Sequence, residues 1–192
     1  MKIILASKSK VRKDILTEHN IDCEVIQSNV DEDPIKDSLI AEGATPEIIS
    51  KNLAELKANK VSSNVYDKLV LGADSVIDLE GELISKPKSR DEAIKILKKL
   101  NGKVHYLISS VCISKNGAMI WNHSDSSELK MKNLTEKQIK NYLGNYDAII
   151  QWPSSKIIPG VTGWLLDTLN INNFTDSTNL NIRIIGKKKK IY

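Results

Sequence analysis

Apolar residues fall in short runs separated by polar turns, and their spacing switches repeatedly between the strand and helix periods. Residues 2–6 form an apolar run that ends at Ser7, and from Lys10 onward Val11, Ile15 and Leu16 recur at helical spacing. That pattern predicts a strand, a tight turn and a helix. Residues 23–26 predict a second short strand, followed by the polar, acidic loop Asn29-Val30-Asp31-Glu32-Asp33-Pro34. Thr45 then reads as an N-cap with Pro46 at the first helical position. Ile48, Ile49, Leu53 and Leu56 mark the buried stripe of that helix, which carries Lys57 near its C-terminal end.

Residues 68–76 contain Leu69-Val70-Leu71 broken by Gly72-Ala73-Asp74, the pattern of a buried strand that ends at a site. A hairpin through Glu80-Gly81 leads to Lys86-Pro87, and Ser89 pairs with Glu92 as a capping box for a helix reaching Leu100. Asn101-Gly102 ends that helix. Strands over residues 106–114 and 118–131 flank Asn116-Gly117, a strong hairpin signal, and Thr135 with Gln138 opens a further helix ending near Leu143. Past Tyr146 the period fades into Trp152-Pro153-Ser154-Ser155 and an asparagine-rich stretch over residues 170–181. The expected organisation is therefore a body over residues 1–145 and a divergent segment over 146–192.

Length and charge narrow the classes. A chain of 192 residues suits one α/β domain, or two tightly joined lobes, with a core that needs no disulfide or structural metal. Cys23 and Cys112 stand far apart, with no Cys-x-x-Cys pair and no histidine at ligand spacing, so reduced thiols are expected. The net charge of +4 is matched by Lys187, Lys188, Lys189 and Lys190 alone, and no basic face interleaved with aromatics exists elsewhere, so no nucleic-acid partner is expected. No apolar run reaches membrane-spanning length, and the opening residues are too short a run for a signal peptide. A cytoplasmic protein is the expectation.

Four polar clusters sit at the ends of predicted elements, where a parallel sheet presents ligand sites. Ser7-Lys8-Ser9 passes from a strand into a helix, whose free N–H groups and positive end favour a phosphate, and Arg12 adds a planar fork of donors. The bland reading is a helix cap only. Asp31-Glu32-Asp33 places three carboxylates together, which repel unless a cation lies nearby. Asp74 follows an apolar strand and is costly to bury alone, so it should meet a metal, a lysine or a helix end. Lys57 and Lys86 supply cations, and His105 is a further candidate that fits a structural role better. Carboxylates for a divalent metal and cations for phosphate oxygens are what a triphosphate site requires.

With these motifs in order, the chain resembles the Maf family of nucleoside triphosphate pyrophosphatases. The resemblance covers residues 1–145 and rests on Leu5-Ala6-Ser7-x-Ser9-x-x-Arg12, Asp31-Glu32, Leu53-Ala54-x-x-Lys57-Ala58, Gly72-Ala73-Asp74-Ser75-Val76, Lys86-Pro87 and Gly102-Lys103-x-His105. It implies an α/β fold with a twisted mixed sheet, flanking helices and two lobes around a nucleotide cleft, similar to the inosine triphosphatase fold. It also implies hydrolysis between the α and β phosphates with Mg²⁺ or Mn²⁺, and a homodimer. Asp74, Lys57 and Lys86 would form the catalytic set, with Asp74 as metal ligand or water-orienting base. Glu32 would be a second metal-side carboxylate, while Ser7 and Arg12, with both lysines, would hold the phosphates.

The family is associated with removing wrong or modified nucleotides and with arrest of cell division, and Gly-Ala-Asp-Ser with Gly-Lys-x-His is more similar to its dTTP and UTP branch than to its 7-methyl-GTP branch. Alternatives are a nucleotide-binding regulator without turnover and an inosine triphosphatase type of enzyme. The chain departs from the family at Ser9-Lys10-Val11-Arg12, where Ser-Pro-Arg-Arg is usual, and past Tyr146, where the usual Ala-Gly-x-Tyr and Gly-Asp-Tyr segments are not found. Gln151 lies too near Tyr142 to stand for the family's glutamine, and a slipped reading frame near Asp147 would explain the loss as well as divergence does.

Overall fold

The structure is a computed structural model that describes residues 2–142 and 183–184. The expectations for Leu143, Gln151 and the segment from 146 onward, including the lysine tail, lie outside the described residues, apart from residues 183–184. In order, the elements are β1 (Ile3–Leu5), α1 (Lys10–Glu18), β2 (Cys23–Val25), α2 (Asp33–Ala41), α3 (Pro46–Ser62) and β3 (Val70–Leu79). They continue with β4 (Glu82–Ile84), α4 (Arg90–Leu100), β5 (Val104–Lys115), β6 (Ala118–Lys130), α5 (Glu136–Tyr142) and β7 (Arg183–Ile184). Parallel and antiparallel pairs coexist, so the α/β class expected from the pattern, with the mixed sheet that the resemblance implies, is the one observed.

Two compact units divide the chain, one built from Met1–Val76 with Ile108–Asp125, the other from Ile77–Leu107 with the residues after Asp125. In the first unit the strand order is β2-β1-β3-β5-β6, and β1 runs parallel to both β2 and β3. Ile4, Ala6, Val61 and Val70 form one apolar cluster, with Ile26 and Val65 packed against it, and Ala54, Ala58 and Cys112 form another. Both alanines face Gly72, which lacks a side chain for a reason. A Cβ on Gly72 would lie 2.2 Å from the Ala54 carbonyl oxygen and 2.7 Å from the Ala58 nitrogen, so α3 meets β3 at backbone contact.

The second unit has its own core, in which Ala93, Leu97 and Leu100 of α4 pack with Ile77, Leu79, Ile84, Leu107, Leu129, Met131 and Ile139. β4 pairs antiparallel with the end of β3, and β7 pairs antiparallel with the end of β6. The Asn101 side chain holds the approach to α5 from both sides, accepting from the Leu134 nitrogen at 2.7 Å and donating to its carbonyl at 2.9 Å.

Local signals account for the element ends. Glu80 and Gly81, and Asn116 and Gly117, all have positive φ, as two-residue hairpin turns of the primed kind require. Thr45 and Ser89 cap their helices through their hydroxyls, and Thr135 and Gln138 bond reciprocally as a capping box. Two expectations change. β3 does not stop at Asp74 but runs on to Leu79, because residues 77–79 pair with β4. The acidic loop is shorter than expected, since Asp33 and Pro34 open α2. That helix is nine residues long and buries no residue, and its only apolar pair one turn apart, Ile35 and Leu39, follows an acidic run. Among the described residues no helix is long and apolar enough to cross a membrane.

The contact at Gly72 yields a prediction: Gly72→Ala should lower the unfolding free energy by at least about 2 kcal/mol, since α3 must retreat from β3. Urea denaturation measures it, and a variant as stable as the parent would show that the helix yields freely.

Candidate active site

Backbone hydrogen bonding sets the first part of the site. The Leu69 carbonyl of the segment entering β3 accepts from the Ile4 nitrogen at 2.9 Å, and the Leu71 carbonyl accepts from the Ala6 nitrogen at 2.8 Å. There β1 ends. The next carbonyl on that edge, Ala73, accepts instead from Arg12 Nη1 at 2.8 Å. The guanidinium thus continues the ladder after the strand has turned away, and the same nitrogen donates to Ser7 Oγ at 3.1 Å. Ser7 Oγ also accepts from the Ser9 nitrogen at 3.2 Å, while Ser9 is the residue that caps α1. Ser7 is therefore a buried clasp rather than the helix cap.

Asp74 follows Ala73 and shares a face of β3 with Gly72, two residues earlier. Because Gly72 lets α3 approach, Lys57 reaches that face. Its Nζ lies 2.7 Å from Asp74 Oδ1 and 2.7 Å from Glu32 Oε1. Glu32 precedes α2, and its other oxygen, Oε2, is 2.8 Å from Lys36 Nζ one turn along that helix. The two acidic and two basic groups form one chain of contacts, and the four formal charges cancel.

Burial alone would raise the Glu32 carboxyl, but the adjacent Lys57 and Lys36 ammonium groups prevail and hold it at about 2 against an ordinary 4.5. Asp74 is 6% exposed, and its second oxygen, Oδ2, is buried with no hydrogen-bond partner. A buried carboxylate oxygen left without a donor calls for a ligand. A hard divalent cation that keeps several waters and uses one or two carboxylates plus phosphate oxygens fits this donor set. A protein cage of three or more ligands does not, since no such group of His, Cys, Asp and Glu occurs among the described residues.

The structure brings together Ser7, Arg12, Glu32, Lys57 and Asp74, all within the first unit. Lys86 belongs to the second unit, as an exposed residue between β4 and α4. His105 is buried in that second unit, and its Nδ1 has no hydrogen-bond partner. Burial pushes its imidazole below the usual histidine range, against a hydrogen bond with the Lys103 backbone that raises it. Sequence reasoning missed Lys36, which becomes visible as an i,i+4 partner of Glu32 once Asp33-Pro34 is read as a helix start. It also missed Lys60, whose Nζ donates to the Asn29 carbonyl at 2.6 Å and so pins the loop that delivers Glu32.

Comparison with known proteins places the chain among described relatives. A family model described as Maf-like protein matches residues 2–160. A nucleoside triphosphate pyrophosphatase of Pelagibacter ubique (strain HTCC1062) is 64% identical over 141 residues, covering 73% of this chain and 72% of that protein. One of Ruegeria sp. (strain TM1040) is 39% identical over 148 residues, covering 77% and 74%. A 7-methyl-GTP pyrophosphatase of Brucella abortus biovar 1 (strain 9-941) is 33% identical over 144 residues, covering 75% and 72%. Among solved structures, the Staphylococcus aureus Ham1 protein aligns with a TM-score of 0.45 at 18% identity, covering 68% of this chain and 72% of that one.

The depressed Glu32 carboxyl makes a pH prediction. A lowered value in the folded state contributes stability above the ordinary 4.5 and loses it as pH falls toward about 2. The stability difference between the parent and Glu32→Gln should therefore be largest above pH 4.5 and shrink toward pH 2. Denaturant titrations across that range test it, and a difference independent of pH would refute the ion-paired assignment.

Proposed function

The chain belongs to the Maf-like protein family, and we propose that it hydrolyses nucleoside triphosphates to the monophosphate and pyrophosphate with a divalent metal, Mg²⁺ or Mn²⁺. The observation that carries this reading is the convergence of Glu32 and Asp74 on one lysine, with Asp74 Oδ2 buried and unmatched. Asp74 would be the main ligand of the cation and Glu32 the second carboxylate. Once bound, such a cation neutralises phosphate charge and polarises the phosphorus under attack.

The chain's own groups supply the rest. Water attacks the α-phosphorus, the bond to the bridging oxygen breaks, pyrophosphate leaves, and the water's proton passes to a base, the role Asp74 would take if it orients the water instead of holding the cation. Lys57 donates to phosphate oxygens as their charge grows, a role that needs position rather than a covalent bond. Arg12 and Ser7 are held at the end of β1, where a phosphate can meet the guanidinium fork and the N-terminal end of α1. Lys86 is retained as a further phosphate ligand on the resemblance of Lys86-Pro87 to the family motif.

For the base we infer the dTTP and UTP type, from Gly72-Ala73-Asp74-Ser75 and the later Gly102-Lys103-x-His105. Pyrophosphate release should be measured on dTTP, UTP, 7-methyl-GTP and inosine triphosphate with Mg²⁺ or Mn²⁺. The pyrimidine substrates should be cleaved fastest, and Asp74→Asn should lower kcat/KM by at least about a thousandfold. Preference for inosine triphosphate would favour the inosine triphosphatase type, and turnover of none of them would leave a nucleotide-binding regulator.

A further inference from the structure

The contacts of Lys57 bear on how the site would be loaded. Three of the four carboxylate oxygens of Glu32 and Asp74 are already matched by ammonium groups, Glu32 Oε1 and Asp74 Oδ1 by Lys57 and Glu32 Oε2 by Lys36. The fourth, Asp74 Oδ2, is buried without a partner. A divalent cation drawn to Asp74 Oδ2 would lie close to an ammonium bound to the same carboxylate, in surroundings where Lys57 is 7% exposed and Asp74 6%. Charge repulsion at such range is weakly screened in a buried site. The four groups are already neutral in sum, so no excess negative charge remains to attract the cation.

We propose that Lys57 and a divalent cation compete for the Glu32 and Asp74 carboxylates, so that the cation alone binds weakly and binds tightly only together with a polyphosphate that takes over the lysine ammonium. This deepens the reading of the site given above and rests on it. Asp74 Oδ2 is the oxygen left for the cation, because it is the one that no ammonium holds. Lys57 then exchanges carboxylate oxygens for phosphate oxygens, which relieves the repulsion and leaves both carboxylates to the metal. Coupling of this kind is reciprocal, so the polyphosphate gains as much from the cation as the cation gains from it. Lys36 contributes in the same sense but less, since it touches Glu32 alone among the two carboxylates and is the more exposed of the two lysine–carboxylate contacts on that residue.

The test is Mn²⁺ binding to the full chain without nucleotide, followed through the electron paramagnetic resonance signal of the free ion. Lys57→Met should bind Mn²⁺ at least about tenfold more tightly than the parent, and Lys36→Met about threefold more tightly. Without metal, Lys57→Met should melt lower than the parent, and Mn²⁺ should raise its melting temperature by more than it raises the parent's. Calorimetry with a non-hydrolysable triphosphate should show at least about tenfold tighter binding when Mn²⁺ is present, and a smaller gain in Lys57→Met. If Lys57→Met does not fold, Lys36→Met and the calorimetry on the parent still decide. Mn²⁺ affinity that is unchanged or weakened in the lysine variants, or triphosphate binding indifferent to Mn²⁺, overturns the proposal. Pyrophosphate release is read in none of these measurements. A chain that binds in this pattern yet cleaves nothing would reject the hydrolase reading alone, and one that cleaves with unaltered affinities would reject the competition alone.

Discussion

A lysine ammonium held between two carboxylates is the interaction around which the first unit is arranged. Lys57 and Asp74 are almost fully buried, and either charge left there without its partner would destabilise the fold by roughly 3–5 kcal/mol. The local architecture satisfies this demand. Gly72, lacking a side chain, lets α3 lie against β3 so that a lysine from one reaches an aspartate on the other. Lys60, one turn beyond Lys57 on α3, binds the Asn29 carbonyl and fixes the loop from which Glu32 projects. One helix therefore organises both carboxylates.

Arg12 solves a different problem with consequences for the same place. Where β1 ends, β3 would expose an unpaired carbonyl at Ala73, and a buried carbonyl without a donor is costly. The guanidinium takes the position of the missing strand amide. Doing so anchors a permanent cation one residue from Asp74 and beside Ser7, so a side chain that the sheet requires stands within the same cluster of polar groups. Lysine would replace it poorly, since a single ammonium lacks the planar guanidinium's fixed fork of donors.

Much of the fold was legible because its boundaries are local events. Positive φ at Glu80-Gly81 and Asn116-Gly117, and hydroxyl caps at Thr45, Ser89 and Thr135, need only neighbouring residues to arise. Ser7, Arg12, Glu32, Lys57 and Asp74, which the structure brings together, stood out in the chain as polar residues at or near the ends of predicted elements. Where local signals were absent, reading failed. α2 is short, buries nothing and offers only Ile35 and Leu39 one turn apart behind an acidic run, and the extension of β3 past Asp74 depends on β4, a partner several residues further along. Lys36 went unseen with the helix that carries it, and Lys60 because an exposed lysine gives no sign of the carbonyl it will meet.

By itself, then, the amino-acid sequence determined most of the element types other than α2, the turns and the inventory of charged groups, since propensity, capping and periodicity act over a few residues. Tertiary structure decided the pairings. That Lys57 would join Glu32 to Asp74, that Arg12 would complete a strand ladder, and that Asp74 would keep one buried oxygen unmatched all depend on the packing of α3 and β1 against β3. The physical reason is range: a charge selects its partner by distance and burial in three dimensions, and neither quantity is written in the spacing of residues along a chain.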